Sequence, residues 1–149
     1  MIKRIVSILA ALALWVAPCL RAAGTEDAAQ EPAQEHAAAY VLIVTDAQYG
    51  ALPLPDTEEG AYSYPLRQRS ADGTLVYNII RVTKDGFFVE EASCDNQDCV
   101  HQGEVTLENR GARLLGNMVI CLPNHLTLSL VTWEELMEFV SSMQAGAGS

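Results

Sequence analysis

The stretch Thr74–Ala92 reads TLVYNIIRVTKDGFFVEEA, and it decides the fold class. A run rich in Leu, Val, Ile and Tyr ends at Thr83, and a second run rich in Phe and Val begins at Gly86. Lys84-Asp85-Gly86 lies between them. An Asp-Gly pair between two β-branched and aromatic runs is the standard signal of a hairpin, so two antiparallel strands are predicted. Working upstream, Asp72-Gly73 in RSADGTL marks another hairpin leading into the same first strand. YVLIVTD, Tyr40–Asp46, is a Val- and Ile-rich run closed by a turn signal and reads as a strand. Gln48–Leu66 holds Gly50, Pro53, Pro55 and Gly60, which interrupt long elements, so it is predicted irregular apart from a short strand near Tyr62–Leu66. Downstream, GEVTLE, NMVICL and LTLSLV read as further short strands. Short strands at close spacing predict a mostly β fold, a small β-barrel or sandwich.

The chain ends differently. TWEELMEFVSSMQ opens with Thr132 and places Glu135 three residues later, the pattern of a capping box. Trp133, Leu136, Met137 and Val140 recur at spacings of three and four, one face of a helix. A C-terminal α-helix over 132–145 is therefore expected, docked on the β domain, with AGAGS as a frayed tail.

The beginning reads as targeting rather than fold. MIKR is basic, Ile5–Ala17 is an uncharged apolar run, and Pro18 precedes the small residues of RAAG. That is the three-part layout of a secretory signal peptide or N-terminal anchor, assigned to 1–24, with cleavage after Gly24 the tidiest choice. The run is shorter than the roughly 20 apolar residues of a spanning helix. Cys19 in VAPC resembles a lipidation box, although Pro18 stands where a small residue is usual. Residues 25–39, rich in Ala, Gln and Glu and containing Pro32 and His36, are read as a disordered spacer. The expected location is extracytoplasmic, secreted or membrane-anchored, where disulfides are permitted.

The whole chain of 149 residues carries a formal charge of −10. Losing Lys3, Arg4 and Arg21 with the leader would leave six of the nine basic residues against 19 acidic ones. Such acidity excludes nucleic acid as a partner and disfavours anionic lipid heads, because both need clustered Lys and Arg.

A domain of this size is marginally stable and benefits from a staple. Candidates for one are concentrated in CDNQDCVHQG, Cys94–Gly103, and ICLPNHL, Ile120–Leu126. The turn-forming DNQD brings Cys94 and Cys99 within reach of each other, and proximity favours pairing them. Loop entropy favours pairing either with Cys121 instead. A working redox thiol is a further alternative. So is tetrahedral zinc on the three cysteines and one histidine, His101 or His125. The acidic group Glu90, Glu91, Asp95 and Asp98 reads as a solvated loop. No phosphate loop, metalloprotease helix or serine-hydrolase elbow is present, and nothing in the spacing requires Cys121 to act as a nucleophile with a histidine.

The motif C-x4-C-V-x2-G followed by I-C-L-P-N-x-L, carried by Cys94, Cys99, Val100, Gly103, Cys121, Leu122, Pro123 and Asn124, resembles that of the NusG domain II family of extracytoplasmic proteins. YVLIV, YSYPL and IIRVTKDGFFVEEASC fit the upstream part of the pattern, so the resemblance covers 40–131. It implies a compact, mostly β domain and no transferable activity or cofactor. The family's namesake is a transcription factor, but neither the charge nor the leader here fits transcription. Some relatives are encoded beside membrane electron-transfer and flavin-binding proteins. The expected function is an exported, non-catalytic binding or accessory module with a protein partner at the membrane or cell surface and no cofactor. The alternative is a redox accessory of a membrane electron-transfer system that uses the three cysteines.

Overall fold

The computed structural model describes residues 36–70 and 72–146. The leader, Cys19 and most of the spacer lie outside the described residues. The strands are β1 (Ala39–Thr45), β2 (Tyr49–Pro53), β3 (Tyr62–Arg69), β4 (Leu75–Val82), β5 (Gly86–Ala92), β6 (Val105–Thr106), β7 (Met118–Cys121) and β8 (Leu126–Thr132). Among the described residues, α1 (Asp98–His101), α2 (Trp133–Gly146) and a 3-10 turn at Glu58–Gly60 complete the order. The strands form two antiparallel four-stranded sheets, ordered β2-β1-β8-β7 and β3-β4-β5-β6. The fold is a sandwich rather than a closed barrel.

Alternation in the strands builds the core. Val41 and Ile43 on β1 stand opposite Leu130 and Leu128 on β8, and all four face inward. They meet Leu66, Ile80, Val82, Phe87 and Val89 of the other sheet. The apolar run YVLIV has no polar alternate because both faces of β1 are covered. Leu42, with Tyr40 and Val44 beside it, packs on Val131 and α2.

The helix is fixed as its sequence predicts. Glu135 Oε2 accepts from Thr132 N–H at 2.7 Å, and Thr132 Oγ1 accepts from Glu135 N–H at 3.3 Å, a complete capping box. Its docking face differs from the expected one in one residue. Trp133, Leu136, Met137 and Phe139 pack on the sheet, whereas Val140 remains 38% exposed. The contact leans toward the sheet edge, where Phe139 meets Tyr49 of β2 at 5.7 Å between ring centroids. His36 stacks on Trp133 at 3.8 Å between ring centroids, and β1 begins at Ala39.

The other correction is β2, which falls in a segment read as irregular. It pairs with β1 from Tyr49 opposite Val44 to Pro53 opposite Tyr40. β2 is an edge strand and Pro53 is its last residue, a position where a missing N–H is tolerated. The two Asp-Gly turns use glycine for different reasons. Gly73 has φ +87°, the left-handed region, whereas a Cβ on Gly86 would stand 1.8 Å from the Val105 carbonyl oxygen. Gly86 is what lets β6 lie against β5.

Candidate functional site

One end of the sandwich gathers the chemistry. Cys94 lies two residues beyond β5, Cys99 lies in α1 and Cys121 ends β7. Cys94 Sγ is 3.7 Å from Cys99 Sγ and 3.6 Å from Cys121 Sγ. All three sulfurs lie within 4.8 Å of one another, and all three side chains are buried. Cysteines distant in sequence thus share one site bridging the two sheets. The separations are sulfur contacts rather than the roughly 2.05 Å of a disulfide, so the cluster is three thiols.

Two glutamines hold α1 in place. Gln97 adopts a left-handed backbone, φ 53°, before the helix. Its side-chain amide donates to the Ala92 carbonyl at 2.8 Å and to the Cys94 carbonyl, which closes the loop between the first two cysteines. Gln102 follows the helix. Its Nε2 donates to the Ile120 carbonyl at 2.8 Å, and its Oε1 accepts from Ile120 N–H at 2.9 Å. The side-chain amide thereby imitates a neighbouring strand and ties α1 to β7 one residue before Cys121. Gly103 has φ +73°, which lets the chain leave the helix immediately. Val100 is half-buried against the core.

A buried amide pair backs the thiols. Asn124 is only 3% exposed; its Nδ2 donates to Asn78 Oδ1 at 2.7 Å and to the Tyr77 carbonyl at 3.1 Å. The Asn124 backbone carbonyl accepts from Gln68 Nε2 at 3.1 Å. Asn124 sits in the β7–β8 turn, so these bonds cross from one sheet to β3 and β4 of the other. Asn78, fully buried on β4, directs its Nδ2 at Cys99 Sγ at 3.7 Å. Leu122 and Pro123 occupy the same turn and are exposed, Leu122 at 78%.

The two histidines are elsewhere. His101 is exposed on α1, and His125 lies in the turn, φ 50°, with Nδ1 2.8 Å from Asp46 Oδ2. Neither joins the donors close enough to share an ion, which among the described residues are the three cysteines.

Burial pushes the Cys99 thiol far above its ordinary range, and hydrogen bonding and charge repulsion from Cys121 and Cys94 add to the shift. Burial likewise raises Cys94, with a hydrogen bond involving Cys121 adding to it. Both are therefore protonated at neutral pH and weak nucleophiles.

The site draws on residues that the hydrophobic pattern does not flag. Gln97 and Gln102 are ordinary polar residues in a loop. Asn78 carries one signal, a lone amide in the middle of an apolar strand, VYNII.

Comparison with known proteins adds the following. The family model for NusG domain II matches residues 5–134. The solution structure of the Lin0431 protein from Listeria innocua superposes with a TM-score of 0.50 at 16% identity, covering 65% of this chain and 75% of that one. A crystal structure of a DUF1312 family protein from Enterococcus faecalis gives 0.46 at 21% identity, covering 64% of this chain and 98% of that one. No curated protein matches. At such identities the Listeria likeness speaks to the fold alone.

Proposed function

This chain belongs to the NusG domain II family, and on that premise we propose that it acts as an exported, non-catalytic module that binds or supports a protein partner at the membrane or cell surface. One observation carries the reading, the depth at which the reactive atoms of the thiol cluster lie. Cys99 and Cys121 are each 1% exposed, no histidine joins the group, and burial keeps Cys94 and Cys99 protonated. A cluster of that kind fastens strand ends together; it does not attack a substrate. Export rests on the basic, apolar and small-residue layout of the leader, and the family match begins at residue 5, inside the apolar run. Fractionation of the native host with a tag at the C-terminus tests export: a full-length cytoplasmic pool overturns it.

A redox accessory is the second reading, and Cys94 favours it. Its sulfur touches both other sulfurs at nearly equal distances, so either disulfide would leave a resident thiol beside it. Thiol counting and redox titration of purified 25–149 separate the two. A stable disulfide with an inert third thiol supports the module. A disulfide with a potential well above about −300 mV supports redox work.

A further inference from the structure

We propose that the reduced cluster of Cys94, Cys99 and Cys121 is a binding site for one soft d10 cation of the Zn2+, Cd2+ or Cu+ class, held by three thiolate sulfurs. The site uses the same three sulfurs as the module reading, in their reduced form, and it departs from the cofactor-free expectation drawn from the sequence. Three observations converge on it.

The first is spacing. A metal about 2.3 Å from each sulfur in a tetrahedral array holds two sulfurs about 3.75 Å apart. The two shortest separations here are 3.6 and 3.7 Å, and the third sulfur pair closes within 4.8 Å. Little movement is needed to seat an ion. The donor set is all sulfur, which selects soft cations over calcium or magnesium.

The second is the buried amide. Packing alone can press thiols together, but it does not require a fully buried asparagine aimed at one of the sulfurs. Asn78 Nδ2 lies 3.7 Å from Cys99 Sγ, and Asn124 holds the far side of the same amide at 2.7 Å. An N–H directed at a sulfur stabilises the thiolate that a metal demands, and such outer partners orient ligands in metal sites. This gives the Leu-Pro-Asn triplet a purpose that sheet geometry alone does not.

The third is access. A groove of about 230 Å³ is lined by Cys99, Cys121, Asn96, Asp98, Gln102 and Leu122, among others, and opens at the surface. It provides a route for the ion and room for a water as fourth ligand. The step balances without an oxidant: three S–H bonds are replaced by three S–metal bonds, and three protons leave to solvent.

The test uses the full chain with Cys19→Ser, which leaves three of its four cysteines. It is kept reduced with a phosphine, loaded with Zn2+ and desalted. The expected result is one retained zinc per chain, with an X-ray absorption spectrum showing three sulfur neighbours at about 2.3 Å. Adding Cys121→Ser should weaken zinc binding at least about tenfold, since loss of even an outer partner costs that much. If that variant does not fold, the absorption spectrum of the parent decides alone. No retained zinc, fewer than three sulfurs in the shell, or a folded Cys121→Ser variant that binds as tightly as its parent overturns the proposal.

Discussion

Asn124 shows how one side chain can join two sheets. Its side-chain amide donates to Asn78 Oδ1 and to the Tyr77 carbonyl, so truncating it leaves the buried Asn78 oxygen without a partner. Asn124→Ala should therefore destabilise the chain by about 1–3 kcal/mol, read as a lower urea midpoint with an unchanged slope. An unchanged midpoint would show that the amide pair contributes nothing. Gly86 makes the opposite kind of demand. A methyl group there meets the Val105 carbonyl at 1.8 Å, a backbone atom that cannot swing aside. Gly86→Ala should detach β6 from β5, seen as accelerated amide exchange at Leu107, whose N–H donates to the Asp85 carbonyl; retained protection would refute the close approach. The cysteine motif and Asn124 were legible in the sequence because they stand in a recognisable spacing. Asn78, Gln97 and Gln102 were not, because their bonds depend on which backbone comes to lie opposite them.

At the scale of elements, punctuation was the most legible feature. Both Asp-Gly pairs lie in hairpin turns, and the Thr132–Glu135 box caps α2. β2 escaped detection because its glycine and proline mimic a loop, and an edge position tolerates both. Phe139 rather than Val140 docks because the helix leans toward Tyr49, a tertiary choice that periodicity does not encode. Thr132→Ala removes one half of the cap and should cost about 1 kcal/mol in thermal or urea unfolding. Glu135 is the other half. The Thr132 N–H, and behind it Arg110, hold its carboxyl below the ordinary carboxylate value. A depressed pKa means that the unfolded chain takes up the proton first as pH falls. The stabilisation is thus fully present above the ordinary carboxylate range, near pH 4.3, and is lost as pH drops through the folded value. Glu135→Gln should flatten stability against pH below about pH 5 while costing a few tenths of a kcal/mol at pH 7, since the Arg110 pair is partly exposed. An acid limb identical to that of the parent would contradict this assignment.

Over the whole molecule, two sheets share one core and are pinned at one end by sulfur and amide contacts, while α2 covers the outer face of one sheet. The mostly β class with a C-terminal helix could be read from strand-like runs and a capping box. That the sheets stay open as a sandwich could not, because closure depends on hydrogen bonds between edge strands that no local pattern specifies. The convergence of the thiols is the centre of the account, since the module, the redox alternative and the metal site all require it. The most direct measurement is nuclear Overhauser contact among the cysteine β-protons in the reduced full chain, labelled at cysteine. Cross-peaks from Cys94 to both Cys99 and Cys121 are predicted. Cys121 β-protons in contact with their own sheet alone, with no cross-peak to Cys94 or Cys99, would contradict it.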